Sequence, residues 1–183
     1  MDLIRQLDIS TLNFIEPIRT PYLTMFFKVI TATGEWSFVL GALVLISLFF
    51  IIKKRFRYDL VLWPITAGGL GIAFVLKEVF QRDRPLGALV AETSSSFPSA
   101  HAIISIAFYS FIFYLLARNT QRRFSRYLLI TALFFVPILL GFSRLYLGVH
   151  YLSDVLAGYA IGDILFLIGV YAIKFINRKK LSA

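Results

Sequence analysis

FPSAHAIISIAFYSFIFYLLA, residues 97–117, sets a proline, a serine and a histidine at the mouth of a long apolar run. Beyond His101 the run carries no charge. At about 1.5 Å of rise per residue, a helix over 99–117 nearly crosses the roughly 30 Å hydrocarbon core of a bilayer. The run is continuous rather than alternating and is too long for a strand. An unpaired sheet would also leave backbone N–H and C=O groups stranded in lipid. The stretch therefore predicts a spanning helix with a polar start.

Four more stretches read the same way: 35–52 (EWSFVLGALVLISLFFII), 59–76 (DLVLWPITAGGLGIAFVL), 127–143 (YLLITALFFVPILLGFS) and 155–176 (VLAGYAIGDILFLIGVYAIKFI). Mean hydropathy is +0.78 and only 16% of residues are charged, where a soluble domain has about 25%. The expected fold is all-α, a polytopic transmembrane bundle of five spans. Residues 1–34 are interrupted by Asp8, Glu16, Arg19 and Lys28 and broken by Pro17 and Pro21. They read as short amphipathic helices lying at the membrane interface, with a sixth span as the alternative. The division expected is 1–34 as this N-terminal region and 35–183 as the membrane domain. The N-terminus lacks a basic start followed by an apolar core and a cleavage site, so no removable signal peptide is expected. With no cysteine in the chain, disulfides and Cys-ligated metals are excluded.

The net charge of +9 follows the membrane layout. Segment 53–58 holds Lys53, Lys54, Arg55 and Arg57, and segment 118–126 holds Arg118, Arg122, Arg123 and Arg126. The tail holds Lys174, Arg178, Lys179 and Lys180. With five spans all three segments fall on one side, which the positive-inside rule makes cytoplasmic. The charge is then a topology signal, with some attraction to anionic lipid, and nucleic acid is not an expected partner.

The opposite side collects a different set. Lys77 precedes Arg84-Pro85 as K-x6-R-P; P-S-A-H follows at 98–101; S-R-x5-H-x3-D runs from Ser143 to Asp154. Three cations, a hydroxyl, two histidines and a carboxylate can converge there. That set suits phosphoryl transfer, where catalysis is mostly positioning and electrostatics. Arg84 and Arg144 offer forked N–H pairs to phosphate oxygens, and Lys77 adds a point charge. Ser99 can donate its hydroxyl and cap the helix starting there, whose free N–H groups face an anion. His150 is the expected nucleophile, with Asp154, four residues on, fixing its tautomer. His101 is the expected proton donor to the leaving oxygen and activator of the hydrolytic water. No metal is expected, because the cations would repel one, and no other cofactor is needed.

These three segments resemble the signature of the type 2 phosphatidic acid phosphatase (PAP2) superfamily, K-x6-R-P, P-S-G-H and S-R-x5-H-x3-D, over residues 77–154. The resemblance implies a metal-independent membrane lipid phosphatase working through a phosphohistidine. It gives phosphate binding to Lys77, Arg84, Ser99 and Arg144, the acid to His101, and the nucleophilic pair to His150 and Asp154. Ala100 stands where the family usually has glycine. If that position needs a positive φ, alanine is strained; as the first helical residue, the favoured reading, alanine fits and only adds a methyl group near the phosphate.

The expected substrate is a membrane lipid phosphate in the bacterial inner membrane, met at the periplasmic or exterior face. Candidates are undecaprenyl pyrophosphate, phosphatidylglycerol phosphate and lipid A 1-phosphate. Alternatives are a lipid-to-lipid phosphotransferase and a small transporter, but a transporter would spread polar residues along several spans. Outside the motifs, Arg82 and Asp83 read as a solvated loop pair and Ser143 as a packing residue. Gly68, Gly69 and Gly71 read as close helix contacts. Asp163, deep in the last span, is either functional or a hydrogen-bonded bundle residue.

Overall fold

The computed structural model describes residues 3–179. Its elements are helices α1 (Leu3–Ile15), α2 (Pro21–Ala32), α3 (Trp36–Ile52), α4 (Asp59–Phe80), α5 (Ala100–Asn119), α6 (Arg123–Tyr146) and α7 (Leu152–Lys179). No strand occurs among the described residues. The fold is the expected all-α membrane bundle. Four helices are long and apolar enough to cross a bilayer, counting α4 with the short turn before it. A fifth span results if α2 and α3, bent by 49° at residues 33–35, are taken as one broken span. Two ends differ from expectation. α4 runs to Phe80 and α6 runs from Arg123 to Tyr146, so Lys77 and Arg144 stand in last helical turns rather than beyond the spans.

Local chemistry explains the element ends. Thr20 caps α2 by accepting from Leu23 N–H, with Pro21 at the first helical position. Gln81 takes a left-handed conformation (φ 43°) and ends α4. Pro137, inside α6, has no N–H for the carbonyl of Leu133. Ser110 Oγ donates to that carbonyl at 2.8 Å, from a stretch of α5 (Ser105–Ser110) wound as a π-helix. An intramembrane backbone group is thereby satisfied by a neighbouring helix.

The packing that places the site is between α5 and α7. Gly158 and Gly162 are four apart and face α5. A Cβ at Gly158 would lie 2.7 Å from Ser99 O, and one at Gly162 would lie 2.9 Å from Ile103 O. Only glycine lets α7 approach the first turns of α5 this closely. Of the three glycines expected to do such work in α4, only Gly69 does, against Ile103 and Leu165; Gly68 and Gly71 face open space. The buried core runs from Leu62 and Ile65 through Ile103, Phe108 and Phe111 to Leu165. A second cluster, including Ile15, Phe27, Tyr146 and Val155, packs among α1, α2, α6 and α7.

The bundle has two distinct ends. Arg55 Nη1 donates to Asn119 Oδ1 at 3.2 Å, and Lys53, Lys54, Arg55 and Arg57 share one hollow with Ile176 of α7. The basic segments therefore gather at one end; Lys180 lies outside the described residues. The other end carries α1 and α2. Arg19 Nε donates to Tyr146 O (3.0 Å), Thr20 N–H to Tyr146 Oη (2.9 Å), and the Phe27 and Tyr146 rings stand 4.5 Å apart.

Candidate active site

The last turns of α4 and α6, the first turn of α5, and the loops 81–99 and 147–151 meet at that second end. They enclose a cavity of about 210 Å³ whose wall includes Lys77, Arg84, Ala100, His101, Arg144 and His150. Motif residues separated by up to 73 positions are thus brought to one hollow.

The cations are held by local partners. Arg84 Nε donates to Ser94 O (2.7 Å) and Nη1 to Val149 O (2.7 Å). Arg144 Nη1 donates to Thr31 Oγ1 (2.6 Å) and Nη2 to Glu92, while its buried Nε has no hydrogen-bond partner. Lys77 Nζ donates to Ser95 O. Glu92 also stands 3.6 Å from Arg84 Nη2. Burial alone would raise the Glu92 pKa, but the two arginines outweigh it and hold the carboxylate below its ordinary value. An incoming phosphate therefore has to share these arginines with Glu92.

Ser99 caps α5 by accepting from Ala102 N–H at 3.4 Å. It is wholly buried, one residue behind the cavity wall. Ala100 is the first residue of α5 and its φ is not positive, so alanine is unstrained there. His101 follows on the wall.

His150 precedes α7, and Asp154 stands in that helix's first turn. The i, i+4 spacing therefore joins a loop residue to a helix start. His150 Nδ1 lies 3.5 Å from Asp154 Oδ2 and 3.4 Å from Ser96 Oγ. His150 Nε2 lies 3.4 Å from Arg84 Nη1, at the cavity. Asp154 is 0% exposed and fully engaged. Its Oδ2 accepts from Ser96 Oγ and Tyr151 N–H, and its Oδ1 accepts from Arg82 Nη1 at 2.6 Å.

Arg82 corrects the sequence reading. It is not half of a solvated loop pair with Asp83. It bridges Asp154 to Asp8 of α1 (2.7 Å), donates to Ser153 Oγ (2.7 Å), and lies over the Tyr151 ring at 4.3 Å. Asp8, 1% exposed, also accepts from Ser153 N–H and Oγ. Ser143 keeps its packing role, donating to Leu140 O. Glycine at position 34 is also explained: a Cβ there would fall 2.5 Å from His101 Cδ2.

Burial lowers the His150 pKa to about 4; the Asp154 contact opposes this, and the Arg144 and Arg84 charges reinforce it. The imidazole is therefore neutral at neutral pH. Because the folded value lies below the unfolded one, near 6.5, the folded state loses stability as pH falls from about 6.5 towards 4. The chain has two histidines, so ¹⁵N-histidine labelling yields two pairs of ring-nitrogen signals, assigned with a His101→Gln variant. The His150 pair is expected to titrate near pH 4; a midpoint at or above 6.5 would contradict its burial.

Residues 58–179 match the PAP2 superfamily. The phosphatidylglycerophosphatase B of Bacillus subtilis (strain 168) is 33% identical over 154 residues, which cover 81% of this chain and 74% of that protein. The crystal structure of a transmembrane PAP2-type phosphatidylglycerolphosphate phosphatase from Bacillus subtilis superposes with a TM-score of 0.86 at 31% identity, covering 98% of this chain and 88% of its own. Aquifex aeolicus LpxE, at 22% identity and a TM-score of 0.64 over 90% of this chain and 95% of its own, shares the fold.

Proposed function

This chain belongs to the PAP2 superfamily and is an integral-membrane lipid phosphatase, and from that premise we propose that it hydrolyses phosphatidylglycerol phosphate through a phosphohistidine on His150. The observation that carries this reading is the two-sided setting of His150: Nδ1 faces Asp154 while Nε2 faces the arginine-lined cavity. With Nδ1 protonated towards the carboxylate, Nε2 carries the lone pair on the cavity side, where it meets Arg84 Nη1 at 3.4 Å.

The steps balance as follows. His150 Nε2 forms a bond to phosphorus as the P–O bond to the glycerol oxygen breaks. His101, protonated, gives its proton to that oxygen and the alcohol departs. Neutral His101 then takes a proton from water, whose oxygen attacks phosphorus, and the N–P bond breaks to release inorganic phosphate. Lys77, Arg84 and Arg144 neutralise the charge spread over the equatorial oxygens. Ser99 holds the start of α5, so that its first turn faces the phosphate, with Ala100 adding a methyl group to the wall. Asp154 stabilises the positive charge that develops on His150.

The Bacillus subtilis sequence match and the solved Bacillus subtilis structure both bear names that specify phosphatidylglycerol phosphate, which favours that substrate over a polyprenyl pyrophosphate or lipid A 1-phosphate. Phosphate release from all three lipids in detergent with EDTA tests this. The highest kcat/KM is expected on phosphatidylglycerol phosphate, surviving EDTA and suppressed by vanadate. A higher kcat/KM on another lipid refutes the substrate assignment, and loss of activity in EDTA refutes metal independence.

Residues 3–34 act as an interfacial cap on the rest of the described chain, and the cavity faces away from the cytoplasm of a bacterial inner membrane. The gathering of basic segments at the opposite end supports this orientation. In intact cells an impermeant maleimide is expected to label Ala88→Cys and not Arg55→Cys; the reverse pattern inverts the topology.

A further inference from the structure

We infer that Glu35 is the positioning residue of His101, orienting the imidazole nitrogen that delivers a proton to the leaving alcohol. The inference rests on the reading of His101 as the acid, and it brings a residue outside the matched segment 58–179 into the site.

Three observations converge on the 33–35 turn between α2 and α3. Tyr109 Oη donates to Thr33 O at 2.6 Å, which ties the turn to α5 eight residues beyond His101. Gly34 packs against the His101 ring, close enough that a Cβ would meet Cδ2. Glu35 then brings Oε1 to 3.6 Å from His101 Nε2, a buried nitrogen with no hydrogen-bond partner. Hydrogen bonds of catalytic groups are commonly long before substrate enters and shorten in the complex.

The electrostatics give the contact a purpose. Arg144, Arg84 and Lys77 line the same cavity as His101, and Glu35 and Glu92 are its two carboxylates. Glu92 is already bonded to Arg144. Glu35 is left as the carboxylate facing the ring nitrogen. Its side chain is 48% exposed at the mouth, so it can turn with the ring as the proton leaves.

The test uses leaving-group dependence in the full chain. kcat/KM reports only the steps through alcohol release, so water attack on the phosphoenzyme does not enter. An alkyl ester such as phosphatidylglycerol phosphate needs the acid; a lipid nitrophenyl phosphate, whose phenolate leaves unaided, does not. General-acid contributions run from about 10² to 10⁴. Glu35→Gln is therefore expected to lower kcat/KM on the alkyl ester about tenfold or more and to change it less than about twofold on the nitrophenyl ester. His101→Ala should show the same selectivity more strongly. Equal effects of Glu35→Gln on both esters, including none on either, overturn the inference while the acid role of His101 stands on its own variant. If His101→Ala loses both esters equally, the acid assignment falls and the inference falls with it. Thermal unfolding of Glu35→Gln within a degree or two of the parent confirms that the fold is intact; a large drop with equal losses on both esters marks Glu35 as merely structural and overturns the inference.

Discussion

Replacing His150 with alanine is expected to lower kcat/KM on phosphatidylglycerol phosphate by about 10⁴-fold or more, the scale seen when a nucleophile is removed from a covalent mechanism. Nothing else near phosphorus can take its place. His101 sits against Gly34 and Glu35 across the cavity, Asp154 lies behind the wall with both oxygens engaged, and Ser99 is committed to its cap. What remains would be water attack assisted by Arg84, Arg144 and Lys77. Phosphate release in detergent, beside a thermal unfolding trace showing a folded variant, checks this. Retention of more than about a tenth of the activity would remove His150 from the chemistry.

Asp154→Asn is expected to cost about 10³- to 10⁴-fold in kcat, as when the orienting carboxylate of a catalytic histidine is made an amide. The carboxylate accepts from Ser96 Oγ, Tyr151 N–H and Arg82 while facing His150 Nδ1. An amide oxygen can serve only part of that set. Its NH₂ must face either a donor or the imidazole, and facing the imidazole it drives the proton to Nε2 and closes the lone pair that attacks. Because Asp154 does not line the cavity, KM should change far less than kcat. The same substitution weakens the half-buried pair with Arg82, so the folded state should lose about 1–3 kcal/mol. Unchanged kcat would leave the tautomer argument without support.

These two residues also mark what the sequence makes legible. A bilayer demands about twenty apolar residues per helix, so the spans are plain as unbroken runs such as 99–117. The motif residues are legible because phosphoryl transfer needs several cations and an imidazole together, and a bundle returns alternate links to one face. The sequence places the ends of α4 and α6 short because Lys77 and Arg144 look like the start of a loop. They are helical last-turn residues whose charges are met by Ser95 O, Thr31 and Glu92.

Partnerships made only by the tertiary fold were not legible. Arg82 pairs with Asp8 and Asp154, 74 and 72 positions away. Asp8 reads in sequence as an interruption of an apolar stretch, and Ser96 as one of three serines in a row. Glu35 belongs, by sequence, to the start of a span. Gly68 and Gly71 look like Gly158 and Gly162 until the helices are placed. Asp163 proves to be an exposed carboxylate on an apolar groove of about 500 Å³, shared with Tyr159 and Ser110. That arrangement corresponds to neither a bonded bundle residue nor part of the phosphate cavity.

The most direct measurement is to mix the enzyme with lipid phosphate radiolabelled at the terminal phosphorus, quench in alkali within a turnover, and digest. The label should be found on the peptide containing His150, stable in base and lost in acid, and be absent from His150→Ala. Product formed with no labelled protein at any time, or label recovered on His101 or Asp154, would contradict the mechanism.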